Sequence, residues 1–132
     1  MTMRNPDRGA AAVEFALVLP VLLLLVFGIV DFARAYNAQI TLSEAAAQGV
    51  RTLAVGGTTA QAETAVRNSL QGSAVPAGDI TFSNESSCTG TNTKATITVT
   101  DNNFALVTPV PTFLGIPNTL TLSAVGARQC GS

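Results

Sequence analysis

Few residues in this chain are placed to do chemistry. There is no histidine, which removes the imidazole base, the hydrolytic triad and most metal centres. Acid–base work would fall to Glu44, Glu63, Asp79, Glu85 or Asp101, yet none is paired with a second acid at short spacing. Cys88 and Cys130 lie far apart with no CxxC, which permits one disulfide and argues against zinc. A net charge of −1 without a basic cluster gives nucleic acid nothing to bind. Neither catalysis, a cofactor, a metal nor a small-molecule substrate is expected. One acid is out of place: Glu14, five residues after Gly9 and directly before Phe15, stands at the head of a long apolar run. A carboxylate inside an apolar helix is a functional candidate by default.

The element that must carry Glu14 is a membrane helix. Residues 15–30 are uncharged and rich in Leu and Val, and with residues 10–13 they give a span of about 21 residues, the length that crosses a bilayer core. Insertion is favourable, since each Leu, Val, Ile or Phe contributes roughly −0.3 to −0.6 kcal/mol and together they outweigh one acid near the end. Arg4 and Arg8 should hold the N-terminal end in the cytoplasm and send everything after Val30 outward. Pro20 removes a backbone donor, so a kink or weak point is expected over residues 16–20.

Beyond the span, Phe32, Tyr36, Ile40, Ala47, Val50 and Ala54 recur at helical steps and predict one apolar stripe, with Asp31, Arg34, Glu44, Gln48 and Arg51 off it. Gly56-Gly57 is a natural stop. One helix over residues 10–55 would then span the membrane over residues 10–30 and serve as the spine of an outer head, residues 56–132. The head should open with a short helix behind a capping box at Thr58 and Gln61, with Ala62, Val66 and Leu70 on one face.

Three stretches then alternate as strands do: Ile80 and Phe82; Ala95, Ile97 and Val99; Leu120, Leu122 and Ala124. A lone three-stranded sheet is marginal in water, so an antiparallel sheet backed by the stripe of the long helix is expected, an α+β head. Residues 101–118, with Pro109, Pro111 and Pro117, read as a proline-broken segment. It either packs over the sheet edge or presents Phe113, Leu114 and Ile116 to a partner. A Cys88–Cys130 bridge would pin the tail to the sheet. The Asn84-Glu85-Ser86 sequon is too short a match to carry weight.

Three readings compete for the N-terminus. A signal anchor needs only the arginines and the apolar span. A cleaved secretory signal finds its A-x-A site at Ala33-Arg34-Ala35, but the apolar run is long for it and Asp31 intrudes. Neither explains a glycine at the polar–apolar border with Glu14-Phe15 in register behind it. Gly9-Ala10-Ala11-Ala12-Val13-Glu14-Phe15 is similar to the cleavage-site pattern of type IV prepilins of the Flp/Tad branch, glycine followed by four residues, an acid and an aromatic. The wider run RGAAAVEFALVLPVLLLLVFGIVDFARAY resembles the N-terminal segment of TadE-like minor pilins, or pseudopilins.

That resemblance implies a pilin-like fold and a structural role. A prepilin peptidase would cut after Gly9, removing a leader of residues 1–9 and leaving Ala10 as the mature N-terminus. Net charge would pass from −1 to −2, five Arg and Lys against seven Asp and Glu. Glu14 would then set subunit register, its carboxylate facing the new ammonium of its own or a neighbouring chain. The implied partners are other pilin subunits, the pilus assembly platform, the peptidase and the membrane. The implied place is a single pass through the bacterial inner membrane, N-terminus inside, with entry into a surface pilus. A full head sets the chain apart from the very short major pilins of that branch and points to a minor subunit that initiates or tips the fibre. The alternatives are a signal-anchored exported binding module, or a soluble secreted domain released after Ala35.

Overall fold

The computed structural model describes residues 6–91, 93–108, 112 and 115–131. Their order is α1 (Pro6–Ala54), α2 (Thr59–Ser69), β1 (Ile80–Ser86), β2 (Lys94–Ala105) and β3 (Thr119–Gln129). The result is an α+β chain, with a long apolar helix passing into a head built on a small antiparallel sheet. At about 1.5 Å per residue, the 49 residues of α1 extend roughly 73 Å. Pro20 lies inside the helix and does not end it.

The helix stops where two glycines satisfy its last carbonyls. The Gly57 N–H donates to the Thr52 carbonyl at 2.9 Å and the Gly56 N–H to that of Leu53 at 3.2 Å. This pair of bonds is a Schellman closure, which needs the left-handed backbone that Gly56 supplies at φ 84°. The capping box of α2 forms as the sequence predicts. Gln61 N–H donates to Thr58 Oγ1 at 3.3 Å, and Thr58 N–H donates to Gln61 Oε1 at 3.0 Å. Ala62, Val66 and Leu70 turn inward together, all buried.

The sheet is a meander, β1-β2-β3, antiparallel throughout. Strand β2 runs further than its alternation suggests, because a bulge lies between Asp101 and Phe104. The extra residue lets two buried positions fall three apart, which breaks the period of two that marks a strand in sequence. Asp101 Oδ1 accepts the Asn103 N–H at 3.0 Å and closes the bulge. Residues 101–105 therefore belong to the sheet and not to the proline-broken segment after it.

One buried cluster joins α1, α2 and the inner face of the sheet. The face that α1 buries is not the predicted stripe. Ala38, Leu42, Ala45, Ala46, Val50, Leu53 and Ala54 are in the core, whereas Phe32, Tyr36, Ile40 and Ala47 are exposed. Only Val50 and Ala54 of the predicted set turn inward. Four alanines on this face let the partners come close, with Leu42, Val50 and Leu53 filling the gaps between them. A Cβ on Gly126 of β3 would lie 2.5 Å from the Ala46 carbonyl oxygen, and one on Gly49 would lie 2.6 Å from Val66 Cγ2. Bulky Phe and Tyr side chains would hold the sheet away from the helix.

The far end of the head is fastened to the end of α1. Cys88 and Cys130 form a disulfide, with Cα atoms 5.5 Å apart. The Cys88 N–H donates to the Leu53 carbonyl at 3.1 Å, and the Ser87 hydroxyl to the Gly57 carbonyl at 2.9 Å. Close by, Glu85 is half-buried and its Oε1 has no hydrogen-bond partner among the described residues. Burial, and then the negative charge of Glu63, raises its pKa above the ordinary 4.5. The folded chain thus holds this proton more tightly than the unfolded one. Stability from this group is full below the unfolded value and falls as pH rises through the folded value. Glu85→Gln should flatten that decline, read as a urea midpoint followed upward from about pH 4; an unchanged slope would show that Glu85 does not cause it.

Candidate functional site

The first part of the site is the N-terminal half of α1. No residue from Gly9 to Val30 is buried against the rest of the chain. Val13, Phe15, Leu17, Val21 and Leu25 lie on different sides of the helix, yet all are more than half exposed. A helix that is apolar all round and uncovered by its own chain belongs in lipid or among other helices. Ala10 and Glu14 are one turn apart and so share a face. Gly9 and Ala10 lie in the opening turns of α1.

The second part is a junction that sequence reasoning missed. Asp31, expected only to close the apolar run, is buried and holds the connection between β2 and β3. The Val107 N–H donates to its Oδ1 at 2.9 Å, the Thr108 N–H to its Oδ2 at 2.9 Å, and the Thr108 hydroxyl also donates to Oδ2. Arg34, one turn on, brings Nη1 to 3.7 Å from Oδ1 and sets its guanidinium over the Phe104 ring, 5.6 Å from the centroid. A carboxylate beside an apolar span is costly unless satisfied, and two amides and a hydroxyl satisfy this one, with the Arg34 charge beside it but too far to donate a hydrogen bond. The only advance signal was an acid at the span's edge with an arginine three residues on. Its partners are backbone amides some 76 positions away, which leave no mark in the sequence.

This junction locks the head's orientation on the helix. Gln39 Nε2 donates to the Ser123 carbonyl at 2.7 Å, and further up Gly126 abuts Ala46. Strand β3 therefore climbs α1 in the same direction, and the β2–β3 connection sits at the end nearest the span. Asp31→Ala should cost about 2 kcal/mol, since bonds to a charged acceptor contribute roughly 1.5–3 kcal/mol each and water replaces part of them. Amide hydrogen exchange should show Val107 and Thr108 losing protection; retained protection would mean the carboxylate does not hold them. Of the predicted partner loop, Ile116 is exposed, and Phe113 and Leu114 lie outside the described residues.

Residues 9–51 match the family model of the TadE-like protein. Over that third of its length the chain is similar to TadE-like proteins. The match opens at Gly9, on the polar–apolar border, and closes within α1, so it takes in Glu14, Pro20 and Asp31 but not α2 or the sheet. No curated protein and no solved structure gives a significant match. That similarity points to a structural, Tad pilus-associated role, and the N-terminal helix is long and apolar enough to anchor the chain in a membrane.

Proposed function

We propose that this TadE-like chain is a minor pilin, or pseudopilin, that initiates or tips a Tad-type (Flp) pilus after prepilin peptidase cleaves it between Gly9 and Ala10. The observation that carries the reading is an apolar half-helix with no cover among the described residues and one acid, Glu14, a turn beyond the proposed scissile bond. In the inner membrane, with its N-terminus inside, the helix would lie beside other pilin helices and the assembly platform. Cleavage places a new ammonium at the positive end of the helix dipole, and Glu14 offers that charge its partner. A charge buried without its partner costs about 3–5 kcal/mol, so only the correct stagger between subunits is tolerated. Phe15 packs beside that pair. Pro20 leaves the Ala16 carbonyl without its usual donor, which gives the helix a place to loosen during assembly.

Release after Ala35 fits the structure poorly. It would remove Asp31 and leave the Val107 and Thr108 amides without their acceptor. Glu14→Gln tests the register. In the native host it should leave cleavage largely intact while assembled pili fall about tenfold or more, the consequence of losing more than ~1.4 kcal/mol of pairing. Unchanged piliation would remove Glu14 from that role.

A further inference from the structure

The connection between β2 and β3 carries a feature that pilus assembly does not explain. Residues 102–127 contain no charged side chain. Within this stretch Val107 is 59% exposed and Ile116 56%, an apolar pair left open among the described residues. Their ends are tied together, since the Leu106 N–H donates to the Asn118 carbonyl at 3.0 Å. Asp31 fixes the depth of Val107 along the helix, and the Leu106–Asn118 bond keeps the stretch that carries Ile116 beside it. Asp31 follows directly on Val30, the last residue of the uncharged run, and its carboxylate holds the backbone of Val107 and Thr108. The headgroup layer adds roughly 5–7 Å on each side of a bilayer core. Val107 falls within it.

At the same level, Phe32 and Tyr36 stack on the free face of α1 with centroids 6.3 Å apart, both exposed. Aromatic side chains favour this interfacial layer. We propose a second membrane contact at the two described ends of the β2–β3 connection: Val107 and Ile116 rest in the lipid interface beside the exit point of the helix. The occupant is lipid, because Val107 is held by the residue that directly follows the exposed apolar span and the acid that holds it is already satisfied. Two contacts instead of one would fix how the head leans on the bilayer before it joins an assembly. The inference rests on the membrane-spanning reading of α1.

The chain contains no tryptophan, so single substitutions report without background. Leu22→Trp marks the span, Val107→Trp the connection, and Val125→Trp the outer face of β3, beside the Gly126–Ala46 contact and about 22 Å further along the helix at ~1.5 Å per residue. Full-length variants, with fold checked by circular dichroism and an intact disulfide, go into vesicles of phosphatidylethanolamine and phosphatidylglycerol with or without brominated chains. Val107→Trp should be quenched by lipid brominated near the headgroup at least about twofold more than Val125→Trp, as expected for a group seated ~5–10 Å into the boundary. Ile116→Trp serves if Val107→Trp misfolds. Quenching of Leu22→Trp with neither Val107→Trp nor Ile116→Trp above the Val125→Trp level would overturn the contact and leave the span intact. An unquenched Leu22→Trp would sink the span itself and the loop contact with it.

Discussion

Gly126→Val should separate β3 from α1 and cost the head about 3 kcal/mol or more, near the upper end of what a single substitution does. The reason is the neighbour's rigidity. A Cβ at this position meets the Ala46 carbonyl oxygen at 2.5 Å and its carbon at 2.9 Å, and both are backbone atoms of a hydrogen-bonded helix. They cannot yield as a side chain can. Gly49 provides the contrast, because its closest neighbour is the Val66 Cγ2 methyl at 2.6 Å, and a side chain can give somewhat. Gly49→Ala should therefore cost less than Gly126→Val. Gly78 has nothing within 4 Å, and Gly78→Ala should fall within about 0.5 kcal/mol of the parent. Urea midpoints of the three variants in detergent micelles would rank them; equal midpoints would show that the helix–sheet approach is not tight.

Removing the Cys88–Cys130 bridge should cost a similar amount. Its two ends are 42 residues apart, and in the chain-entropy picture closing a loop of that size limits the unfolded chain by about 4 kcal/mol. A small domain with a net stability of roughly 5–15 kcal/mol feels such a loss strongly. The effect should also be local. The bridge sits where the Cys88 N–H meets the Leu53 carbonyl and where the Cys130 N–H meets that of Thr93 at 3.0 Å. With Cys88→Ser and Cys130→Ser together, hydrogen exchange should rise first at this end of the head, while the Val107 and Thr108 amides keep their protection. Parent protein treated with reductant should lose as much stability as the double variant. If the double variant matches the untreated parent, the bridge adds no constraint.

Much of this structure was written locally in the sequence. The stop at Gly56-Gly57, the capping box at Thr58 and Gln61, and the inward face of Ala62, Val66 and Leu70 depend on residues a few positions apart. Local chemistry was enough to place them. The orientation of α1 was harder. Several faces of an alanine-rich helix satisfy the same three-to-four spacing, and the stripe reading favoured its largest side chains, Phe32, Tyr36 and Ile40. Close packing selected a face of four alanines with Leu42, Val50 and Leu53 instead, and that choice is made by Gly126 and Ala46 meeting across the fold. The extra length of β2 was hidden by its bulge. Asp31 was hidden most completely, since its partners are amides of a distant segment. The acid that stands out from its apolar neighbours, Glu14, is legible; the acid that fastens the head becomes visible only in three dimensions.

These two carboxylates divide the work proposed for the chain, one facing the membrane helices of an assembly and the other fixing the head on its stem. Both assignments take the N-terminal segment to be a pilin stem, matured by removal of its leader. Intact mass and N-terminal sequencing of the protein purified from its native host, with prepilin peptidase active, test that most directly. The predicted result is a chain that begins at Ala10. A chain that keeps residues 1–9, or one that begins at Tyr36, would contradict it.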